Sequence, residues 1–511
     1  MKRILVAASF VAAFCGALAL SAAPASAGLF SGRASATAAP SATPLPMPTA
    51  TPEPPNIAIP RLEQKLKENP NDREAMVELA SEFLGIGHPE AAVPLTQRLL
   101  QLGSKTGQVY YLDGAAQQAL GNLQAALGDF EQAANLEPTN LSVLSSLADL
   151  YTRANRFADA ERIAERGVTF NKTSPQAYTV LGVVYASEQK WDDARKQFEA
   201  AYNLDPKDVT PLMQEAQTWV MQNTIPNALQ VVDRAIAVDP KNVQVLVYRA
   251  DLYGKQNDVT KSASAFDDAI AAATSAPEKA SVMVRKALMF AQAKRQSDAR
   301  ATFDAAIKQY PQIASLHTAY GEYFLAQKDQ RSAERELLAA VRGDKTDVNA
   351  LSDLAQLKAS QGRMSDAIGY LKQVTAVAPS AQSFALLGQA YVSTHDYSRA
   401  KEACTKSFQI DRTPDTLGCI AGSDYSLKNY KEAAQIFDAL DRSVKPYMDR
   451  NPQLLYMAGV SYTRTNEKSK AVGAYKRLLK MLRPGTKQYK EIQSQIADLS
   501  KPAPAKNNKH A

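Results

Sequence analysis

Residues 175–208 read PQAYTVLGVVYASEQKWDDARKQFEAAYNLDPKD. Apolar residues recur at helical spacing in both halves, which predicts two amphipathic helices. Gly182 in the first half and Ala194 in the second are small enough to let the helices approach closely. Tyr185 and Phe198 are large enough to fill the space between neighbouring pairs. Asp205-Pro206 then stops the second helix, because proline has no N–H to offer and its ring clashes with the preceding turn.

The same order of residue types returns along the chain. One period upstream stand Gly114, Ala126, Phe130, Ala133 and Pro138. Downstream stand Ala216, Trp219, Ala228, Ala235 and Pro240, then Ala287, Phe290, Ala299, Phe303, Ala306 and Pro311, and near the end Gly459, Tyr462, Ala471 and Tyr475. Tyr178, Leu181, Gly182, Tyr185, Ala194, Phe198, Ala201 and Pro206 follow the spacing W-x2-L-G-x2-Y…A-x3-F…P, with Tyr in the Trp place. On these residues the chain resembles the tetratricopeptide repeat family, over roughly residues 61–499.

Repeats fall at 73–106, 107–140, 141–174, 175–208, 209–242, 243–276, 280–313, 314–347, 348–380, 381–414, 415–451 and 452–485. The phase slips at Pro277-Glu278-Lys279, near Ser380 and around 415–451, where the first helix lacks a clean small-residue beat. A short helix over Arg61–Asn69 is expected before the array, and a closing helix over Lys487–Leu499 after it. No single hairpin can bury its apolar face alone, so the first expectation from length, about three domains, gives way to one all-α helix-turn-helix solenoid.

The resemblance implies a right-handed superhelix whose concave groove, lined by the first helix of each pair, takes a protein or peptide partner. By helical phase the lining includes Tyr111, Gln118, Asp149, Thr152, Thr179, Val183, Met213, Gln217, Val247, Asp251, Thr318, Glu322, Gln356 and Gln389. It is mostly uncharged. Family members that hold chaperone C-termini use a carboxylate clamp of Lys, Asn and Arg; the corresponding places here are Thr179, Val183, Met213, Gln217, Val247 and Asp251, so that clamp is not expected.

Outward from the array, the N-terminus reads as an export signal. Lys2 and Arg3 precede an uncharged apolar run from Ile4 to Leu20, and Ala25-Ser26-Ala27 offers small residues for cleavage after Ala27. An uncleaved membrane anchor is the competing reading, and a lipoprotein is disfavoured by the bulky Phe14 before Cys15. Residues 28–60 hold eight prolines and only two charges, Arg33 and Glu53, which predicts a disordered, semi-rigid tether. Residues 500–511 read as a basic tail. The expected location is periplasmic or secreted.

Composition excludes several classes. The charge balance is 59 Lys+Arg against 52 Asp+Glu with 45% apolar residues, which is ordinary for a folded chain. Three cysteines and four scattered histidines do not build a disulfide scaffold or a zinc site, so no metal or cofactor is expected. Phosphate-loop, dinucleotide, H-E-x-x-H, G-x-S-x-G and C-x-x-C motifs are absent. His317 reads as a hydrogen-bonding side chain, Asp192-Asp193 and Asp267-Asp268 as solvated pairs, and Trp191 and Trp219 as packing aromatics. The chain is expected not to be an enzyme, since the repeats leave no room for a catalytic globule.

Two further site signals stand out. Cys404 and Cys419 lie on helices expected to pack together, and either a disulfide or two buried thiols fits. Residues 445–511 carry 14 Lys/Arg against 4 Asp/Glu, with Lys468, Lys470, Lys476, Arg477, Lys480, Arg483, Lys487 and Lys490 crowded together. Such an end suits an anionic lipid or polymer, or else is a solvated cap. Nucleic acid is not expected as a partner. The function expected is a non-catalytic interaction scaffold of the bacterial cell envelope. A narrower version is a periplasmic adaptor in exopolysaccharide export or outer-membrane assembly; an enzyme subunit is the reading of a different class.

Overall fold

The computed structural model describes residues 53–501, so the expected signal over 1–27, most of the tether, and the tail from residue 502 lie outside the described residues. Those described form 27 α-helices and contain no strand. They divide into two compact units, one within Arg33–Ala299 and one within Arg300–Ala511.

In the first unit α1 (Pro55–Glu68) precedes six hairpins: α2 (Arg73–Gly85) with α3 (Pro89–Gln101), α4 (Gly107–Ala119) with α5 (Leu123–Leu136), α6 (Leu141–Arg153) with α7 (Phe157–Phe170), α8 (Pro175–Ser187) with α9 (Trp191–Leu204), α10 (Thr210–Met221) with α11 (Ile225–Val238), and α12 (Val243–Lys255) with α13 (Val259–Ala272). A longer helix, α14 (Ala276–Gln292), follows, and the division between units falls inside α15 (Gln296–Gln309). In the second unit come α16 (Ala314–Ala326) with α17 (Gln330–Gly343), α18 (Val348–Ser360) with α19 (Met364–Val377), α20 (Ala381–Ser393) with α21 (Tyr397–Ile410), and α22 (Pro414–Ser426) with α23 (Tyr430–Ser443). The short α24 (Lys445–Asp449), the hairpin α25 (Pro452–Arg464) and α26 (Lys468–Leu479), and α27 (Lys487–Leu499) complete it.

Each hairpin closes where the small residue of the first helix meets the large one of the second. A Cβ on Gly182 would stand 2.6 Å from Phe198, and one on Gly321 2.7 Å from Leu337, so these positions are small because the partner side chain already fills the space. Buried residues continue from hairpin to hairpin: Phe130, Leu144, Leu147, Ile163 and Leu181 form one cluster in the first unit, and Phe437, Leu454, Leu455 and Tyr475 belong to another in the second.

The turn inside each hairpin rests on one residue in the left-handed region. Gly87, Gly121, Asn155, Gln189, Asn223 and Asn257, each thirty-four residues apart, have φ between +56° and +80°. Lys294, Lys328, Gly362, His395, Lys428 and Asn466 continue the series. At Asn155 the geometry is a Schellman cap: Arg156 N–H donates to Tyr151 O at 2.8 Å and Asn155 N–H to Thr152 O at 3.0 Å. The next hairpin starts on a side-chain cap, as where Asn140 Oδ1 accepts from Ser142 N–H at 3.0 Å, or Asp347 Oδ1 from Ala350 N–H at 3.0 Å.

One sequence expectation is corrected and two irregularities are accounted for. The first helix begins at Pro55, six residues before 61, and runs through Pro60. Burial of Ala58 and Leu62 against Ala75 and Leu79 outweighs the lost hydrogen bond. The slip at Pro277-Glu278-Lys279 is the first turn of the seventeen-residue α14: Ser275 Oγ accepts from Glu278 N–H at 3.2 Å and Glu278 Oε2 from Thr274 N–H at 2.9 Å. The irregular stretch 415–451 carries the extra helix α24, whose Tyr447 hydroxyl donates to Asp415 at 2.8 Å and would stand 3.1 Å from a Cβ on Gly418. The small residues of α22 therefore serve α24 as well as α23.

Candidate functional site

First helices of neighbouring hairpins meet within each unit: α2 with α4, α6 with α8, α8 with α10 and α12 with α14; then α16 with α18, α20 with α22 and α22 with α25. Second helices show no comparable approach to one another among the described residues. The stack is tighter along its first helices, so their free face is the inner side of each unit.

Not all expected lining residues reach that face. Tyr111 is buried, its ring 5.6 Å from that of Phe130. Val247 is buried with Phe266 and Val282. Thr318 is buried and donates to Asp347 Oδ2 at 2.5 Å. All three are the fifth residue of their helix, a position rotated toward the hairpin's interior or the next hairpin, and they are corrected to packing positions. Thr179, also fifth, is half-buried and bonds back to Pro175 O at 3.0 Å.

The others line the face to different degrees. Val183, Gln217 and Gln356 are exposed; Gln118, Asp149, Thr152, Met213, Asp251, Glu322 and Gln389 are half-buried. Several tie one first helix to the next. Gln118 Nε2 donates to Asp149 Oδ2 at 3.1 Å, Tyr248 OH to Gln217 Oε1 at 2.8 Å, and Arg285 pairs with Asp251. Arg153 also holds Asp149, at 2.8 Å, and Thr152 bonds back to Ala148 O.

The second unit has a different electrostatic character. Glu322 on α16 lies near Asp347 and Asp353 of α18 and its cap, and no ion pair to Glu322 or Asp353 is present among the described residues. Burial and then the charges of Glu322 and Asp347 push Asp353 up to about 7. Burial, reinforced by Asp347, raises Glu322. A similar effect occurs in the first unit, where burial and the charge of Asp113 push Asp129 up to about 6. Nothing in the sequence sets Asp353 apart; it sits beside Ser352, and only the neighbouring helix reveals its crowding.

The remaining candidate residues find partners. His317 Nδ1 lies 2.9 Å from Glu336 Oε2 and its Nε2 3.2 Å from Pro311 O, and the Glu336 bond raises its pKa. Asp193 pairs with Lys196 at 3.0 Å, Asp267 with Lys286 at 2.6 Å, Asp268 with Arg249 at 2.6 Å, and Asp192 with Arg195. Trp219 carries the Arg195 guanidinium 3.7 Å above its ring, and Trp191 is half-buried. Among the described residues no group of three His, Cys, Asp or Glu is arranged to hold a metal, and no helix is long and apolar enough to cross a membrane. Cys404 of α21 and Cys419 of α22 form a disulfide with a Cα–Cα distance of 6.2 Å.

At the C-terminal end the eight crowded cations divide into two groups. Lys470 pairs with Asp438 and, at 2.6 Å, with Glu467; Arg477 pairs with Asp441 and, at 2.6 Å, with Asp449. These two hold α26 against α23 and α24. Lys468, Lys476, Lys480, Arg483, Lys487 and Lys490 are exposed and make no ion pair among the described residues.

Stacked helical hairpins with a polar inner face define a helical-repeat solenoid of the kind that presents a binding surface. Tetratricopeptide repeat models match residues 220–277, 248–312 and 297–348, and also 117–183, 381–414 and 453–481. The chain belongs to the tetratricopeptide repeat family. It is 27% identical over 126 residues to human Tetratricopeptide repeat protein 7B and 26% identical over 134 residues to human Protein O-mannosyl-transferase TMTC1. Those stretches are 25% and 26% of this chain but 15% of each relative, so the match concerns a small part of either protein. Among solved structures it is similar to yeast Tom70, at 15% identity and a TM-score of 0.37 over 74% of this chain and 93% of that one.

Proposed function

We propose that this chain is a non-catalytic scaffold of the cell envelope that binds an extended segment of a partner protein along its first-helix face. Membership of a repeat family whose arrays serve protein–protein interaction supports the coarse reading. The observation that carries it is the accessibility of Val183, Gln217 and Gln356, with half-buried Gln389 beside them, on the face where first helices close up. Their exposure leaves them accessible to a partner, Gln217 while also accepting from Tyr248. A preformed surface loses little entropy on binding, so many weak contacts suffice.

Export rests on residues 1–27, and the Cys404–Cys419 bond fits an oxidising compartment. The narrower role, an adaptor for exopolysaccharide export or outer-membrane assembly, rests on analogy with exported proteins of this family.

The test is site-specific photo-crosslinking in living cells. A crosslinker at position 217, or one at position 356, is expected to capture a partner protein, while one at the second-helix position of the same unit, 193 or 402, captures none. Equal capture from both sides would sink the groove reading. Sequencing the N-terminus of the envelope form should read from Gly28; a cytoplasmic chain starting at Met1 would end the envelope assignment.

A further inference from the structure

Between Lys468 and Lys490 the chain carries eight cations and no acidic residue. Four carboxylates from outside that stretch, Asp438, Asp441, Asp449 and Glu467, reach Lys470 and Arg477 alone. The two neutralised cations explain how α26 is held; the six left over make no ion pair among the described residues, and only Lys476 and Lys480 favour a helix end. Lys476 and Lys480 lie one turn apart at the end of α26, Arg483 is in the connecting turn, and Lys487 and Lys490 open α27. They therefore gather around one connection at the end of the second unit.

Lys476 and Lys480 sit at the C-terminal end of α26, where cations are favoured, but the lysines that open α27 are placed against helix stability. The first turn of a helix carries partial positive charge and favours Asp or Glu. Neither α26 nor α27 has an acidic residue there; Lys468 and Lys470 begin the one, Lys487 and Lys490 the other. A cap needed only for solubility would do better with mixed signs. Same-sign charge gathered at one connection, with lysines at the start of α27 and no carboxylate in its first turn, is expected where an external anion supplies the missing partner.

The connecting turn also exposes an apolar side chain. Met481 is 40% exposed, between Lys480 and Arg483 in sequence. A soluble polyanion gives a thioether nothing to enter, whereas a bilayer accepts it among the acyl chains while the lysines stay with the headgroups.

We infer that the C-terminal end, from the last turn of α26 to the first of α27, docks on the phosphate headgroups of anionic phospholipid. The contact is peripheral and electrostatic, with Met481 entering the interface. It uses a different surface from the first-helix face and stands or falls separately from the peptide-binding reading.

The experiment is co-sedimentation of the chain produced from Gly28, which removes the apolar run 4–20, with vesicles of phosphatidylcholine alone or with one quarter phosphatidylglycerol. Binding is expected only to the anionic vesicles and should vanish in 0.5 M NaCl. Each juxtamembrane cation contributes about fivefold in partitioning, so Lys480→Ala/Arg483→Ala/Lys487→Ala together should weaken binding about a hundredfold with an unchanged thermal melt. Met481→Ser should weaken vesicle binding about threefold to tenfold and leave binding to dextran sulfate unchanged. Failure to bind anionic vesicles, equal binding to neutral ones, retention by the triple variant, or indifference to Met481→Ser would each overturn the inference. Tight binding to dextran sulfate without vesicle binding would overturn it too, and would assign the surface to an acidic polymer.

Discussion

Lys328 shows how much a single backbone position carries. It holds φ +60° in the turn between α16 and α17, a conformation that costs a side chain about 1 kcal/mol and a glycine nothing. Gly362 occupies the equivalent place one repeat later, and a Cβ there would find no atom within 4 Å. Lys328→Gly should therefore leave stability unchanged or raise it by up to about 1 kcal/mol, the gain in the turn being offset by the freer unfolded chain, while Gly362→Ala should lower it by about 1 kcal/mol. Urea unfolding of the two variants checks the pair; a more stable Gly362→Ala would contradict the turn assignment. This series is hidden in the sequence because Gly, Asn, Gln, Lys and His alternate along it, and only the backbone angle unites them.

Asp353 makes a pH prediction at the same scale. Its folded pKa, about 7, lies above its ordinary value, so the folded state holds the proton more tightly than the unfolded chain does. The stability this confers is fully present below about pH 4 and is lost as pH rises toward 7. Asp353→Asn removes the charge that the site resists. It should raise stability at pH 8 by about 1–2 kcal/mol and change little at pH 4. Melting curves at the two pH values decide it; a loss of stability at pH 8 would mean that Asp353 has a cation partner in solution.

Among elements, the hairpins are the most legible part of the fold, because the pairing of a small residue with a large one sixteen positions later is a local pattern. Gly182 and Phe198 are legible as a small and a large position; that Phe198 packs on Gly182 within its own hairpin, as Leu337 does on Gly321, is seen only in the structure. The departures arise from contacts between distant segments. Helix α1 exists because Ala75 and Leu79 bury Ala58 and Leu62, and α24 because Gly418 and Asp415 receive Tyr447. The same limit applies to the first-helix face: of the residues that helical phase assigns to it, Val183 and Gln356 are exposed, whereas Tyr111, Val247 and Thr318 are packed, since one residue of rotation turns an outward position into a buried one.

The link between α21 and α22 belongs to this scale too. Joining residues 404 and 419 closes a loop of fifteen residues, which the chain-entropy relation values at about 3 kcal/mol. Cys404 is itself 1% exposed, beneath Gly388. Cys419→Ser should lower stability by about 2–3 kcal/mol, and a reductant should have the same effect on the unaltered chain and none on the variant. Equal stability of the variant and the oxidised chain would show that packing alone holds the two helices.

For the molecule as a whole, stacking confines each hairpin to its neighbours, so damage should spread locally. Leu147, buried in α6, touches the cluster that runs from Tyr111 to Val184. Leu147→Ala should cost about 2–5 kcal/mol and increase amide exchange most in α4 through α9. Hydrogen exchange resolved by segment is the check, and uniform acceleration throughout 53–501 would argue for one cooperative body instead.

The disulfide has a mechanical consequence. If the chain is held at both ends, tension peels helices apart in turn, but it crosses from residue 404 to residue 419 through sulfur. The intervening stretch cannot unspool, so a fully drawn thread is about 45 Å shorter than its reduced counterpart. A molecule strung between a proline-rich leash and an adherent far end would thus have a built-in limit to its reach, set by the oxidation state of one pair of thiols.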